Sequence, residues 1–207
     1  MMQKETDAGN MQGNGKKHKY QTRHLKVYDM TYIAIFVVLI MICSWITLPF
    51  GTIPVTMQTF AVFLSVGMLG GRRGSLAVLI YLLMGCIGLP VFSGFQGGVG
   101  VLFGQTGGYL LGLMPATLLM WLFEALFGKK AWAQIMGMLL GLLVCYGAGS
   151  AWFMSVYMKN TGETGLGAVL MLCVVPFIVP DLLKIVLAYF LTGRLRKVLP
   201  IVHEFKA

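Results

Sequence analysis

Two charged residues stand inside an apolar run, Asp181 and Lys184 in VVPFIVPDLLKIVLAYFLTGR (Val174–Arg194). If this run crosses a membrane, each costs about 2.5–3.5 kcal/mol at the centre of a span, and such residues mark functional sites by default. At spacing i, i+3 they share one helix face and can pair. A carboxylate and an ammonium side by side can accept hydrogen bonds from ligand N–H groups and donate to a ligand carbonyl. The competing reading is an ion pair that only fixes helix packing, a job apolar residues do at lower cost. Pro176 and Pro180 precede the pair, and each removes a backbone N–H. They leave either a kink or a new helical segment starting at Asp181. Both gather polar atoms near Asp181.

A second stretch complements the first. GLPVFSGFQGGVGVLFGQTGGY (Gly88–Tyr109) carries eight glycines, three phenylalanines and no charge. It lies between segments long and apolar enough to cross a bilayer. Non-helical backbone at membrane depth survives only where protein buries it or it lines a cavity. The stretch therefore reads either as the lining of a small-molecule pocket or as a surface connection.

The elements that position these residues follow from composition. The chain has 207 residues, 57% hydrophobic and 11% charged, with mean hydropathy +0.80. Soluble domains carry about 25% charged residues, so this is an all-α integral membrane protein. The net charge of +9 sits at the ends of apolar runs rather than among aromatics of a soluble domain, which argues against nucleic acid as a partner. Cys43, Cys86, Cys145 and Cys173 lie far apart in apolar runs and read as small core residues, not metal ligands or disulfides. Residues 1–27 are polar and lack the apolar core of a signal peptide, and are expected to form a disordered basic tail. Residues 28–207 form the membrane-embedded domain.

Six apolar segments follow the tail, at about Met30–Leu48, Met57–Gly70, Ser75–Leu89, Thr106–Phe127, Ala131–Tyr157 and Leu166–Thr192. The positive-inside rule tests the count. With the N-terminus in the cytoplasm, 14 of the 16 Lys and Arg residues fall on the inner side. Lys159 alone lies outside, and Lys184 lies within a span. The expected fold is a compact bundle of six transmembrane helices with both termini cytoplasmic. The glycine-rich stretch and PFGTIPVT (Pro49–Thr56) then face outward. Asp181 precedes the anchoring Arg194 by 13 residues and Gln58 precedes Arg72 by 14. At 1.5 Å per residue both stand about 20 Å above the inner boundary of a core about 30 Å thick. Gln58, Asp181 and the outer loops can thus converge on a pocket open to the outside.

Other chemistries lack their motifs. The chain contains no G-x-x-x-x-G-K-[ST], no H-E-x-x-H and no paired-carboxylate site. Asp181 has no second intramembrane acid to work with, because Glu124 lies near the inner end of its span. His18, His24 and His203 lie in the tails. No catalytic residue, metal site or cofactor is expected. The two halves show no inverted repeat of the kind that builds many secondary transporters.

Three motifs together resemble the BioY family, the biotin-specific, substrate-binding S components of energy-coupling factor (ECF) transporters. They are PFGTIPVTMQTFAVFL (Pro49–Leu64), GLPVFSGFQGGVGVLFGQTGGYLLG (Gly88–Gly112) and PDLLK (Pro180–Lys184). The resemblance spans Met30–Gly193. It implies a multi-pass protein of the bacterial cell membrane that captures biotin from outside. Its partners would be the lipid bilayer, a transmembrane coupling protein and two cytoplasmic ATPases. It implies substrate contacts at Asp181 and Lys184 for the ureido ring, at Thr56 and Gln58 from the first motif, and at Phe92, Phe95, Gly98, Gly100, Gly108 and Tyr109 from the second. Two departures stand out. Gln105 replaces a proline usual in the family. The small-residue face of the first helix, which would dock the coupling protein, reads Ala34 followed by Val38.

Rival readings remain. They are an S component for another vitamin, an intramembrane enzyme using Asp181, and a proton-coupled solo transporter in which the Asp181–Lys184 pair titrates.

Overall fold

The computed structural model describes residues 27–48, 55–161, 171 and 174–198. The expected tail, residues 1–26, and most of the turn Pro49–Thr56 lie outside them. Four helices are long and apolar enough to cross a membrane, Val27–Trp45, Gly107–Phe127, Ala131–Val156 and Val175–Lys197. The first three match the first, fourth and fifth expected segments within a few residues; the last overlaps the sixth, Leu166–Thr192, whose beginning lies largely outside the described residues.

Helix α1 (Val27–Trp45) buries Ile33, Phe36, Val37, Ile40 and Ser44, the spacing of one helix face. Ala34, Ile35, Val38 and Ile42 face outward. A two-residue antiparallel ladder follows, β1 (Thr47–Leu48) on β2 (Val55–Thr56), with Thr47 opposite Thr56.

Helix α2 (Gln58–Leu69) is only 12 residues long, and all but Thr59 are buried. A helix apolar around its whole circumference belongs in the middle of a bundle. Gly70, at φ +83°, ends α2 and opens α3 (Gly71–Cys86) with no further linker. That left-handed conformation is routine only for glycine. The two helices fold back on one another, so that a Cβ at Gly74 would meet the Val66 backbone at 2.6 Å. The third expected segment therefore begins four residues early, and Arg72 and Arg73 lie in its first turn.

The glycine-rich stretch has a definite course. A 3₁₀ turn (Ser93–Phe95) and a short α4 (Val99–Leu102) fill it. The Phe92 N–H donates to the Gln96 carbonyl at 2.9 Å. Helix α5 (Gly107–Phe127) packs along α6 (Ala131–Thr161). Helix α7 (Val175–Val198) then closes on α2.

Helix α7 passes through Pro180 without a break, and Pro176 falls in its first turn. Asp181 is therefore inside a continuous helix, not at the start of a new one. Asp181, Lys184, Ile185, Ala188 and Thr192 are buried, whereas Leu183, Val186 and Phe190 are exposed. Polar residues face in and apolar residues face out, the pattern of a helix solvated by lipid.

Candidate ligand-binding site

The loop-bearing end of the bundle holds a cavity lined from β2, α2, α5, α6, α7 and the glycine-rich stretch. Asp181 and Lys184 are its only charged lining residues among those described. They are 3% and 5% exposed, and Lys184 Nζ donates to Asp181 Oδ1 at 2.6 Å.

Neither charge stands alone. Lys184 Nζ also donates to the Thr56 carbonyl at 2.7 Å and to Thr59 Oγ1 at 3.3 Å. All three ammonium protons therefore have acceptors. The Thr59 hydroxyl passes its own proton to Asp181 Oδ1 at 3.2 Å. The Tyr146 hydroxyl donates to Asp181 Oδ2 at 2.6 Å. Four elements thus meet at one ion pair, α7 through Asp181 and Lys184, β2 through the Thr56 carbonyl on Lys184, α2 through Thr59 on both, and α6 through Tyr146 on Asp181. Burial of an ion pair is tolerated when its remaining donors and acceptors are satisfied in this way.

A second hydrogen-bond chain shapes the wall. Gln58 Nε2 donates to Tyr81 Oη at 3.0 Å, and the Tyr81 hydroxyl donates to the Val91 carbonyl at 3.2 Å. Ser44 donates to the same carbonyl at 2.6 Å, and Trp45 Nε1 to the Pro90 carbonyl at 3.0 Å. These bonds pin the start of the glycine-rich stretch to α1 and α3. They set Phe92, 1% exposed, edge-on against Tyr81 with ring centroids 5.6 Å apart. Gly85 makes this possible, since a Cβ there would run into the Phe92 ring.

Of the residues expected from the sequence, Thr56, Gln58, Phe92, Tyr109, Asp181 and Lys184 line the cavity. Phe95, Gly98, Gly100 and Gly108 do not. Phe95 is 65% exposed and stacks on Trp45 at 4.7 Å. Its φ is +58°, in the left-handed region. The Gly98 N–H donates to the Gly85 carbonyl at 2.7 Å and begins α4. Gly100 faces open space, and Gly108 lets α5 approach Trp152 of α6. Those glycines shape the loop and the helix packing rather than the cavity wall.

Thr59 and Tyr146 were not anticipated, nor were the lining residues Ser93, Gln96 and Thr106. Thr59 is adjacent to Gln58, but successive helical residues point about 100° apart. Gln58 therefore reaches Tyr81 and Thr59 reaches Asp181. Tyr146 is a lone hydroxyl in an apolar run, and no spacing links it to a carboxylate 35 positions away.

Comparison with known proteins points the same way. A family model described as BioY family matches residues 16–201. A biotin transporter BioY of Thermotoga maritima is 39% identical over 163 residues, 79% of this chain and 92% of that protein. A probable biotin transporter BioY of Pyrococcus horikoshii is 35% identical over 172 residues, 83% of this chain and 98% of that protein. A crystal structure of the S-component for biotin from an ECF-type ABC transporter superposes with TM-score 0.73 at 27% identity. That match covers 83% of this chain and 92% of the other. The chain is a multi-pass membrane protein. With the match running through all three sequence motifs and the Asp181–Lys184 pair, it belongs to the BioY family.

Proposed function

We propose that this chain is the biotin-capturing S component of an ECF-type transporter. The observation that carries the reading is a buried, hydrogen-bonded Asp181–Lys184 pair on the wall of a cavity with no other charged lining residue among those described. A ureido ring offers two N–H donors and one carbonyl acceptor. Asp181 uses three of its roughly four acceptor positions within the protein, which leaves one for a ureido N–H. Lys184 can give up its longest bond, that to Thr59, to meet the ureido carbonyl. Leu110, Leu113, Leu142 and Phe177 supply the apolar wall for the thiophane ring and acyl chain. Thr56, Gln58, Phe92 and Tyr109 complete the binding set.

Helices α1, α2, α3, α5, α6 and α7 are six membrane-crossing segments with both termini cytoplasmic. The charge distribution supports this, since Arg72, Arg73, Lys129, Lys130, Arg194 and Arg196 all lie at the end away from the cavity. The cavity then opens to the outside. Ala34 and Val38 lie on the outward face of α1, where a transmembrane coupling protein can reach them. Two cytoplasmic ATPases supply the energy, and this chain itself is not an enzyme.

Calorimetric titration of the purified, detergent-solubilised protein with biotin tests the reading, run beside Asp181→Asn. Tight one-to-one binding, weakened at least about thirtyfold (about 2 kcal/mol) by the substitution, is the expected result. Dethiobiotin should compete, and thiamine and riboflavin should not. Folded, ligand-free protein that ignores biotin would return the vitamin to an open question.

A further inference from the structure

The opposite end of the bundle holds a larger groove, about 850 Å³, between α1, the α2–α3 turn, α5 and the α5–α6 turn. Five charged residues line it, Arg72, Arg73 and Lys129 against Asp29 and Glu124. Two cations are already neutralised. Arg73 pairs with Asp29 at 3.0 Å and Lys129 with Glu124 at 3.7 Å. Arg72 is exposed and makes no ion pair among the described residues. The groove therefore carries one uncompensated positive charge. Its walls are apolar, through Met30, Leu76 and Trp121. Leu76 and Trp121 are 44% and 40% exposed, so the groove opens sideways toward the bilayer.

We infer that this groove is a binding site for an anionic phospholipid, phosphatidylglycerol being the simplest. A phosphodiester carries a single negative charge, which matches the unpaired Arg72. One acyl chain covers Leu76 and Met30, and the Trp121 indole sits where tryptophans favour the membrane–water interface. Basic pockets between transmembrane helices on the cytoplasmic side are a recurring form of lipid recognition. A free phosphate ion would leave the apolar walls bare, and an apolar protein helix would leave Arg72 unneutralised. The leaflet follows from the orientation proposed above; the site itself does not depend on it.

Native mass spectrometry of the full chain, released from bilayers of equal phosphatidylglycerol and phosphatidylcholine, tests this. The wild-type protein should retain phosphatidylglycerol at least tenfold over phosphatidylcholine. Arg72→Gln should bring the ratio within about twofold, and Arg72→Lys should largely keep it. Biotin titration of the same samples should be unchanged by either substitution, which separates this site from the ligand cavity. Equal retention of both lipids by the wild type would overturn the proposal. So would a preference that survives in both Arg72→Gln and Arg72→Glu, or lipid stripped by millimolar inorganic phosphate.

Discussion

Tyr146 on α6 donates its hydroxyl to Asp181 Oδ2 on α7 across 2.6 Å, inside the bundle and 35 positions away in the chain. The carboxylate that faces the cavity is thereby held from both sides, by Tyr146 on one oxygen and by Lys184 and Thr59 on the other.

Tyr146→Phe keeps the ring and removes the donor. A buried carboxylate oxygen left unpaired costs about 1–3 kcal/mol. Biotin affinity should fall by roughly tenfold or more, with the far-ultraviolet circular dichroism unchanged. Unaltered affinity in calorimetry would mean that the hydroxyl does not support a role of Asp181 in holding the ligand.

Lys184→Met and Asp181→Asn should each destabilise the fold more than their combination does. Removing one partner leaves the other charge or its hydrogen bonds uncompensated in the interior, at a cost of about 3–5 kcal/mol for a buried pair. Removing both takes that penalty away. Thermal unfolding in detergent should rank the double variant closest to wild type, while biotin binding is weakened at least about thirtyfold in all three (about 2 kcal/mol). A double variant less stable than both singles would contradict the ion-pair account.

Gly85→Ala places a methyl group in the Phe92 ring. Overpacking of this kind costs typically about 1–3 kcal/mol, and here the ring must move toward the cavity or the loop must lift. Affinity should drop severalfold. Gly85→Ala combined with Phe92→Leu should recover part of the lost stability. No recovery would place the strain elsewhere.

Tyr81→Phe disconnects Gln58 from the loop carbonyl of Val91. Ser44 still serves that carbonyl, so the fold should lose about 1 kcal/mol or less, whereas Gln58 is freed within the cavity wall. The expected signature is a change in affinity larger than the change in stability. Equal changes would make Tyr81 a purely structural residue.

Much of this protein was legible in the sequence, and for identifiable reasons. Charge cannot lie in hydrocarbon without cause, so Asp181 and Lys184 were visible as a candidate site before any contact was known. Helical spacing then put them on one face, where the structure has them paired. The alternation of apolar runs and basic turns located α1, α5 and α6, because bilayer thickness fixes the length of a span. The three motifs carried the family likeness.

What sequence reasoning missed depends on long-range packing. Local rules allow either a kink or a break at Pro180; helix α7 runs on because α2 packs along it and buries its polar face. Phe95 and the glycines at 98, 100 and 108 share a motif with Phe92 and Tyr109. The loop's course sends them to the outer surface or into the α5–α6 contact, and the side-chain bonds of Ser44, Trp45 and Tyr81 to Pro90 and Val91 set that course. Tyr146 and Thr59 join the site only because α6 and α2 bring them to the same carboxylate. The sequence by itself determined that a charged pair must be buried in a membrane bundle and which helix carries it. Only the tertiary structure decided which donors complete it, since hydrogen bonds across tens of residues follow from helix packing, and no local spacing encodes them.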